Sequence, residues 1–266
     1  MRIALGLEYN GSRFCGWQTQ SSACAVQDAL ERALSEIGSG PIKVTAAGRT
    51  DTGVHARCQV VHFDACEARP ESAWIRGVNA LLPHSVAVQW AQAVAPEFNA
   101  RFSALSRRYR YVLLNRATRP GMHAGQVGWY HAPLNVAAMQ EAAYALLGEH
   151  DFSAFRSAEC QAKTPVRNLQ ELTLTRSQDY VIFDLQANAF LHHMVRNIVG
   201  CLVAIGKGKY PLSWMEEILQ ARDRKLAAAT FAPDGLYLTA VEYAPHWGLP
   251  HTARASHTAP IETTLW

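Results

Sequence analysis

In each half of this chain, strand-like segments follow one another with no helix between them. The short run Ile42 to Ala46 leads through a glycine-bounded loop straight into a second apolar run, Gln59 to Phe63. Ser85 to Val94 is followed by the alternating segment Arg108 to Leu114, and Leu169 to Thr175 by Tyr180 to Ala187 around the turn residues Ser177-Gln178-Asp179. Parallel strands need long, usually helical crossovers, whereas antiparallel neighbours need only a turn. The pattern therefore predicts an α+β fold built on a largely antiparallel mixed sheet, not a doubly wound parallel one.

Helices fill the gaps between these runs. Val26, Leu30, Leu34 and Ile37 recur at helical spacing and stop near Gly38. Ser72 to Leu82 reads as a helix halted by Pro83, and Asn135 as the cap of a helix running to Leu147 and stopped by Gly148. His192 to Ile205 is a long apolar helix ending at Gly206, and Trp214 to Ala221 another. Residues 2–9 and Leu236 to Tyr243 are the first and last strands, the first ending at the Asn10-Gly11 turn. The expected organisation is two similar α/β halves, residues 1–104 and 105–246, flanked by helices. A loosely held tail rich in His, Thr, Pro and Ala follows over 247–266.

With 49% hydrophobic and 18% charged residues among 266, the chain has material for a sizeable core, and the composition argues against disorder. A formal charge of +3 permits an acidic partner without demanding one. Arginines gather at Arg101, Arg107, Arg108 and Arg110, where guanidinium forks suit phosphate and base stacking; codon bias accounts equally well for the overall excess over lysine. The six cysteines show no CxxC spacing, and their scatter predicts reduced, mostly buried thiols in the cytosol. Glu8 interrupts the N-terminus too early for a signal peptide, and no apolar run reaches transmembrane length, so no membrane association is expected.

Gly48 and Gly53 bracket the polar centre Arg49-Thr50-Asp51-Thr52. Such a loop holds a carboxylate out from the sheet, and Arg49 would favour its ionised form if the two lie close. A turn in which Asp51 bonds its own backbone is the plainer alternative. The Gly-Lys-Ser/Thr ending of a phosphate loop and the repeated acids of an EF-hand are both absent. Asp51-Thr52-Gly53 also invites an aspartic-protease reading. That chemistry shares a proton between two carboxylates, so a chain with one such loop would need a symmetric dimer.

Longer stretches discriminate between these alternatives. The run Ala47-Gly48-Arg49-Thr50-Asp51-Thr52-Gly53-Val54-His55-Ala56, followed by Gln59-Val60-Val61-His62-Phe63, closely resembles the signature of the bacterial tRNA pseudouridine synthase A family. Glu8 to Ser12 with Gly16-Trp17-Gln18, Phe98 to Ala104 with Arg107-Arg108-Tyr109-Arg110-Tyr111, and Ala187 to Gly200 resemble further family segments in the same order. Asn99 stands where the family commonly has His, and Leu191 where Val is frequent.

The resemblance implies a pseudouridine synthase fold and isomerisation of uridine to pseudouridine at positions 38, 39 and 40 in the anticodon stem-loop of tRNA, by a cytoplasmic homodimer. It carries Asp51 over as the nucleophile. Arg49 suits the gap left by an extruded base, since a guanidinium can stack between bases and hold phosphate; a salt bridge that only orients Asp51 is the alternative. Tyr109 carries over as the active-site tyrosine, and Arg196 as the arginine that pairs with the carboxylate. A glycosidic bond that breaks leaves positive charge on the sugar, which a carboxylate can stabilise or trap. A base in a stem must leave its stack before it reacts. A phenol stacks on uracil and can move protons, and an arginine on an apolar helix needs an anionic partner. Arg107, Arg108 and Arg110 are candidate contacts to the tRNA backbone, with a solvated strand edge as the alternative. His192 and His193, read as helical neighbours facing apart, make no metal pair. The chemistry is redox-neutral and the motifs lack metal spacing, so no cofactor is implied. A non-catalytic RNA-binding or chaperone protein on the same scaffold, or a dimeric aspartic protease, are the competing functions.

Overall fold

A computed structural model describes residues 1–250; the expected tail falls mostly on residues 251–266, which lie outside the described residues. In chain order the elements are β1 (Arg2–Tyr9), α1 (Val26–Ile37), β2 (Thr45–Ala46), β3 (His55–Asp64), α2 (Val78–Leu81), β4 (Val86–Ala93), β5 (Ala104–Asn115), β6 (Gly128–Tyr130), α3 (Val136–Ala143), β7 (Gly148–Asp151), β8 (Val166–Ser177), β9 (Tyr180–Ala187), α4 (Met194–Gly206), α5 (Trp214–Ala221) and β10 (Leu236–Tyr243). They form two compact units, Met1–Leu105 with the described residues from Tyr237 onward, and Ser106–Leu236. Strand pairing is mostly antiparallel, with β3–β10 and β5–β6 as parallel pairs, which is the expected mixed α+β class.

In the first unit the strands run β4–β1–β3, and β2 and β10 share the far edge of β3. α1 places Val26, Leu30 and Leu34 in full burial along one stripe, each such side chain contributing roughly 1.5–3 kcal/mol. The buried Glu31 of that helix is fully engaged. It accepts from Lys43 Nζ at 2.7 Å, the Val44 amide at 3.0 Å and Gln27 Nε2 at 2.8 Å. Together with Ser35 Oγ, which takes the Ile42 amide at 2.9 Å, it occupies the backbone donors of Ile42 and Val44. That is why β2 covers only Thr45–Ala46 and not the whole expected run from Ile42.

Three further expectations shift. The helix expected over 72–82 winds first as a wide π turn, Ala73–Gly77, before α2, and ends in extended backbone at Leu82 as Pro83 requires. Asn135 does cap α3, its side chain accepting the Ala138 amide at 3.0 Å. That helix then tightens into a 3-10 turn at Tyr144–Leu146, and Gly148 opens β7. The last strand, read from its sequence position as part of the second half, joins the first unit. Tyr237 and Leu238 pair in parallel with His55 and Ala56, and the Tyr243 hydroxyl donates to the Ala100 carbonyl at 2.6 Å. At the start of the expected tail, Trp247 packs edge-on against Phe98 and the Gly248 carbonyl accepts from Gln92.

The cysteine expectation is also corrected. Cys15 and Cys24 form a disulfide, and Cys66 is exposed; only Cys58 and Cys201 are buried thiols, with Cys160 half-buried. The Cys15 amide donates to the Cys24 carbonyl, so a local hairpin-like turn brings together two residues that sequence spacing alone does not pair. Closing a loop of this length contributes about 2–3 kcal/mol through the unfolded chain. Cys15→Ser should lower the urea-unfolding free energy by that amount under oxidising conditions, and should change it little in excess reductant.

His62 on β3 is buried, and its Nδ1 accepts the Ala100 amide at 3.0 Å. Burial, aided by the Arg2 charge and opposed by Asp64, lowers its pKa. The folded pKa lies below the unfolded one, so the associated stability is complete above about pH 6.5 and is lost as pH falls through the folded value. Thermal midpoints should therefore drop on mild acidification in the wild type, with a shallower slope in His62→Asn.

In the second unit β5, β9, β8 and β7 lie side by side, with β6 on the other edge of β5. Val181, Phe183, Leu185 and Ala187 of β9 are fully buried. α4 is buried almost all round. Its one fully buried amide, Asn197, is satisfied by the Phe155 carbonyl, Arg224 and Thr230, as a polar group in such surroundings must be. No helix among the described residues is long and apolar enough to cross a membrane.

Candidate active site

The glycine-bounded loop joins β2 to β3 in the first unit. Residues 49–51 alternate: Arg49 is exposed, Thr50 is buried, and Asp51 is half-exposed. The loop turns back through a hydrogen bond from the Val54 amide to the Asp51 carbonyl at 3.1 Å, with Gly53 at φ +80°. Glycine at the third position of such a turn removes the penalty a side chain would meet there. Asp51 thus sits, half-exposed, at the first position of a short, closed turn.

The inner side of the loop is held by several bonds. Gln59 Nε2 donates to the Gly48 carbonyl at 2.7 Å, the Trp17 amide donates to the Thr50 carbonyl at 2.9 Å, and the Tyr9 hydroxyl lies 2.8 Å from Thr50 Oγ1. Burial pushes the Tyr9 phenol up to about 12, with the Thr50 and Gln59 hydrogen bonds pulling the other way, so it stays neutral at physiological pH. At the far end of the loop, His55 Nδ1 accepts the Gly11 amide at 3.0 Å while its ring stacks on Tyr237 at 4.6 Å. That bond assigns the proton of neutral His55 to Nε2. The Asn10-Gly11 turn and the Gly16-Trp17 segment are therefore the supports of the loop.

The remaining predicted site residues lie in the second unit. Tyr109, on β5, is buried and meets Phe190 edge-on at 5.1 Å between ring centres. Tyr111, two residues along the same strand face, is fully buried. Its hydroxyl donates to the Ala232 carbonyl at 2.9 Å, and its ring meets Phe183 and Phe231 edge-on. Burial, with Asp234 adding to it and the Arg196 charge opposing, raises the Tyr111 phenol. These contacts separate two tyrosines that the sequence alone could not: Tyr111 is a core residue.

Arg107 is buried and donates to the Asn188 carbonyl at 2.9 Å. Arg108 pairs with Glu171 at 2.9 Å and contacts Gln186, and Arg110 forms a two-pronged pair with Asp184 at 2.8 and 2.9 Å. Arg110 and Asp184 are directly opposite in the β5–β9 register, so this pair clips neighbouring strands. Arg196, in the first turn of α4, is half-exposed and donates through Nε to the Phe231 carbonyl at 2.8 Å. His192 and His193 precede α4 and do not lie on it. His193 takes the left-handed conformation at φ +63°, and this brings the two rings to 4.0 Å instead of facing them apart.

Tyr9, Trp17, Thr50, His55 and Gln59 gained no role from sequence. The one local signal was Gln59, an amide flanked by Cys58 and Val60, which in burial must find a partner.

The model of the family described as tRNA pseudouridine synthase matches residues 7–103 and 142–244, including the Asp51 loop and Arg196, while Tyr109 and its neighbouring arginines fall between the matched stretches. The chain is 60% identical over 250 residues to the tRNA pseudouridine synthase A of Dechloromonas aromatica (strain RCB), covering 94% of this chain and 95% of that protein. To the protein of the same name from Thiobacillus denitrificans (strain ATCC 25259 / T1) it is 58% identical over 253 residues, covering 95% and 97%. To that of Albidiferax ferrireducens (strain ATCC BAA-621 / DSM 15236 / T118) it is 54% identical over 260 residues, covering 98% and 100%. With matches that run nearly end to end and take in the loop that carries Asp51, the chain belongs to the tRNA pseudouridine synthase family.

Proposed function

We propose that the chain isomerises uridine to pseudouridine in tRNA, as an intramolecular transferase acting at positions 38, 39 and 40 of the anticodon stem-loop. The observation that carries this reading is near-full-length similarity to proteins named tRNA pseudouridine synthase A, together with a closed turn that presents Asp51. The N-glycosidic bond of the target uridine breaks, the uracil turns, and its C5 bonds to the ribose carbon that N1 has left; the C5 proton is then lost and N1 takes one up. Atoms and electrons balance without an oxidant, a reductant or a cofactor.

Asp51 is assigned the nucleophile's role, since a carboxylate can stabilise or trap the cationic sugar carbon. Arg49, exposed two residues earlier, is assigned the space left by the extruded base. Tyr109 is assigned stacking and proton transfer at the uracil, and Arg196 the balancing charge for the carboxylate. Arg107, Arg108 and Arg110 are assigned backbone contacts. The ion pairs of Arg108 and Arg110 and the carbonyl bond of Arg107 would hold their guanidinium groups in place for phosphate. The working form is a cytoplasmic homodimer. The protease alternative is not retained, because Asp51-Thr52-Gly53 lies inside a stretch matched by the synthase family model.

The test is to incubate the purified chain with unmodified tRNA and map pseudouridine by chemical labelling. Label at positions 38–40 is expected. A dimer that binds the anticodon arm but leaves no label would establish the binding-only alternative instead.

A further inference from the structure

Thr50 has no part in the chemistry assigned above, yet both its hydroxyl and its carbonyl are engaged. It sits between Arg49 and Asp51 and turns the other way, with 6% of its surface exposed. Two groups grip it: the Tyr9 hydroxyl at Oγ1 and the Trp17 amide at its carbonyl. Tyr9 is itself buried at the end of β1, and its ring lies 5.9 Å from that of Trp17. Gln59 completes the arrangement from β3, with Nε2 2.7 Å from the Gly48 carbonyl and 3.5 Å from the Tyr9 hydroxyl. Its Oε1 is buried without a hydrogen-bond partner, so the amide is held through its Nε2 donor bonds.

A hydrophobic contact would leave the backbone of residues 48–50 free to slide. Directed bonds in a dry setting do not, because breaking one leaves a buried polar group unpaired. The carbonyl of Asp51 is bonded to Val54 on the other side. A shift or rotation of the backbone at Thr50, next to Asp51, is opposed by the Tyr9 hydroxyl and by the Trp17 amide.

We propose that Thr50 is a positioning residue for Asp51. Its hydroxyl, clamped by Tyr9 and backed by Gln59, sets the backbone from which the reacting carboxylate projects. The clamp governs the rate of the chemical step and leaves tRNA binding alone. This rests on the functional reading above.

Three single variants of the full chain, and the double variant Thr50→Val with Tyr9→Phe, test it in single-turnover pseudouridine formation and in tRNA binding. Thr50→Val keeps the shape and removes the hydroxyl. Thr50→Ser keeps the hydroxyl and removes the methyl group. Tyr9→Phe removes the partner. Misplacing a reacting group by a fraction of an ångström to an ångström costs on the order of 10–100-fold in rate. Thr50→Val and Tyr9→Phe should each lose about that much with tRNA affinity unchanged, while Thr50→Ser stays near the wild-type rate. The double variant should lose little more than either single one, because both remove the same bond. Thermal midpoints are read alongside, and if Thr50→Val melts below the assay temperature the comparison is made on Tyr9→Phe, which lacks only one oxygen.

Wild-type rates in Thr50→Val or Tyr9→Phe would overturn the proposal. Equal losses in Thr50→Ser and Thr50→Val would also overturn it, since shape and not the hydroxyl would then matter, as would rate losses matched by weakened tRNA binding. These results presuppose an active wild type. A wild-type chain that binds tRNA without forming pseudouridine would sink the functional reading, and this proposal with it.

Discussion

Asp51→Asn is expected to abolish pseudouridine formation, lowering the single-turnover rate by at least about 10⁴-fold, the scale on which removal of a nucleophile acts. The substitution is nearly isosteric. The turn depends on the Asp51 carbonyl and on Gly53, neither of which it touches. Affinity for tRNA should therefore stay within a few-fold of wild type, and so should thermal stability. Asp51→Ala should behave the same way in catalysis. An Asn variant that still turns over at a measurable fraction of the wild-type rate would remove Asp51 from the nucleophile's role, whatever the family resemblance says. A variant that loses binding in step with turnover would instead make Asp51 a recognition residue.

The second large effect is expected at a residue with no part in the chemistry, Gly11. A Cβ added at Gly11 would lie 1.9 Å from the Val54 carbonyl oxygen and 2.7 Å from its carbon. Both are backbone atoms and cannot swing aside, so the Asn10-Gly11 turn and the end of the Asp51 loop would be driven apart. The Gly11 amide also donates to His55, and that bond would be strained by the same movement. Gly11→Ala should cost about 2–3 kcal/mol of stability, typical of overpacking in a close-packed interior. It should also slow catalysis, through displacement of the loop. Gly40→Ala is the matched control: nothing lies within 4 Å of its added Cβ, and its effect should be within about 0.5 kcal/mol. Urea denaturation of the two variants in parallel checks the pair, and an unchanged midpoint in Gly11→Ala would show that the two backbones separate at no cost.

These predictions draw on different layers of information. The loop that carries Asp51 was legible as a family signature because a signature is a run of neighbours, and neighbours are what a sequence displays. Its supports were not. Tyr9 and Thr50 are 41 positions apart, and Gln59 lies 50 positions from Tyr9. Nothing in the chain order announces that a phenol at the end of one strand will cap a hydroxyl in a loop. The same holds for Tyr109 and Tyr111, which alternate alike along β5 and differ only in what packs against them.

What the sequence by itself determined was local or patterned. The stripe of Val26, Leu30 and Leu34 specifies α1, the turn at Ser177-Gln178-Asp179 specifies the β8–β9 hairpin, and strand after strand without a helix specifies an antiparallel sheet. Each follows from the period of side chains along a backbone or from the conformational range of a turn residue. The tertiary structure alone decided the rest. β10, last among the described strands, pairs with β3 of the first unit because Tyr237 finds His55 there. Residues 42–44 are kept out of the sheet by Glu31 and Ser35. Cys15 meets Cys24, and His193 turns left-handed ahead of α4. In each case the deciding energy is a contact with a residue outside the segment, or the strain that such contacts sustain, and no reading of the segment alone contains it.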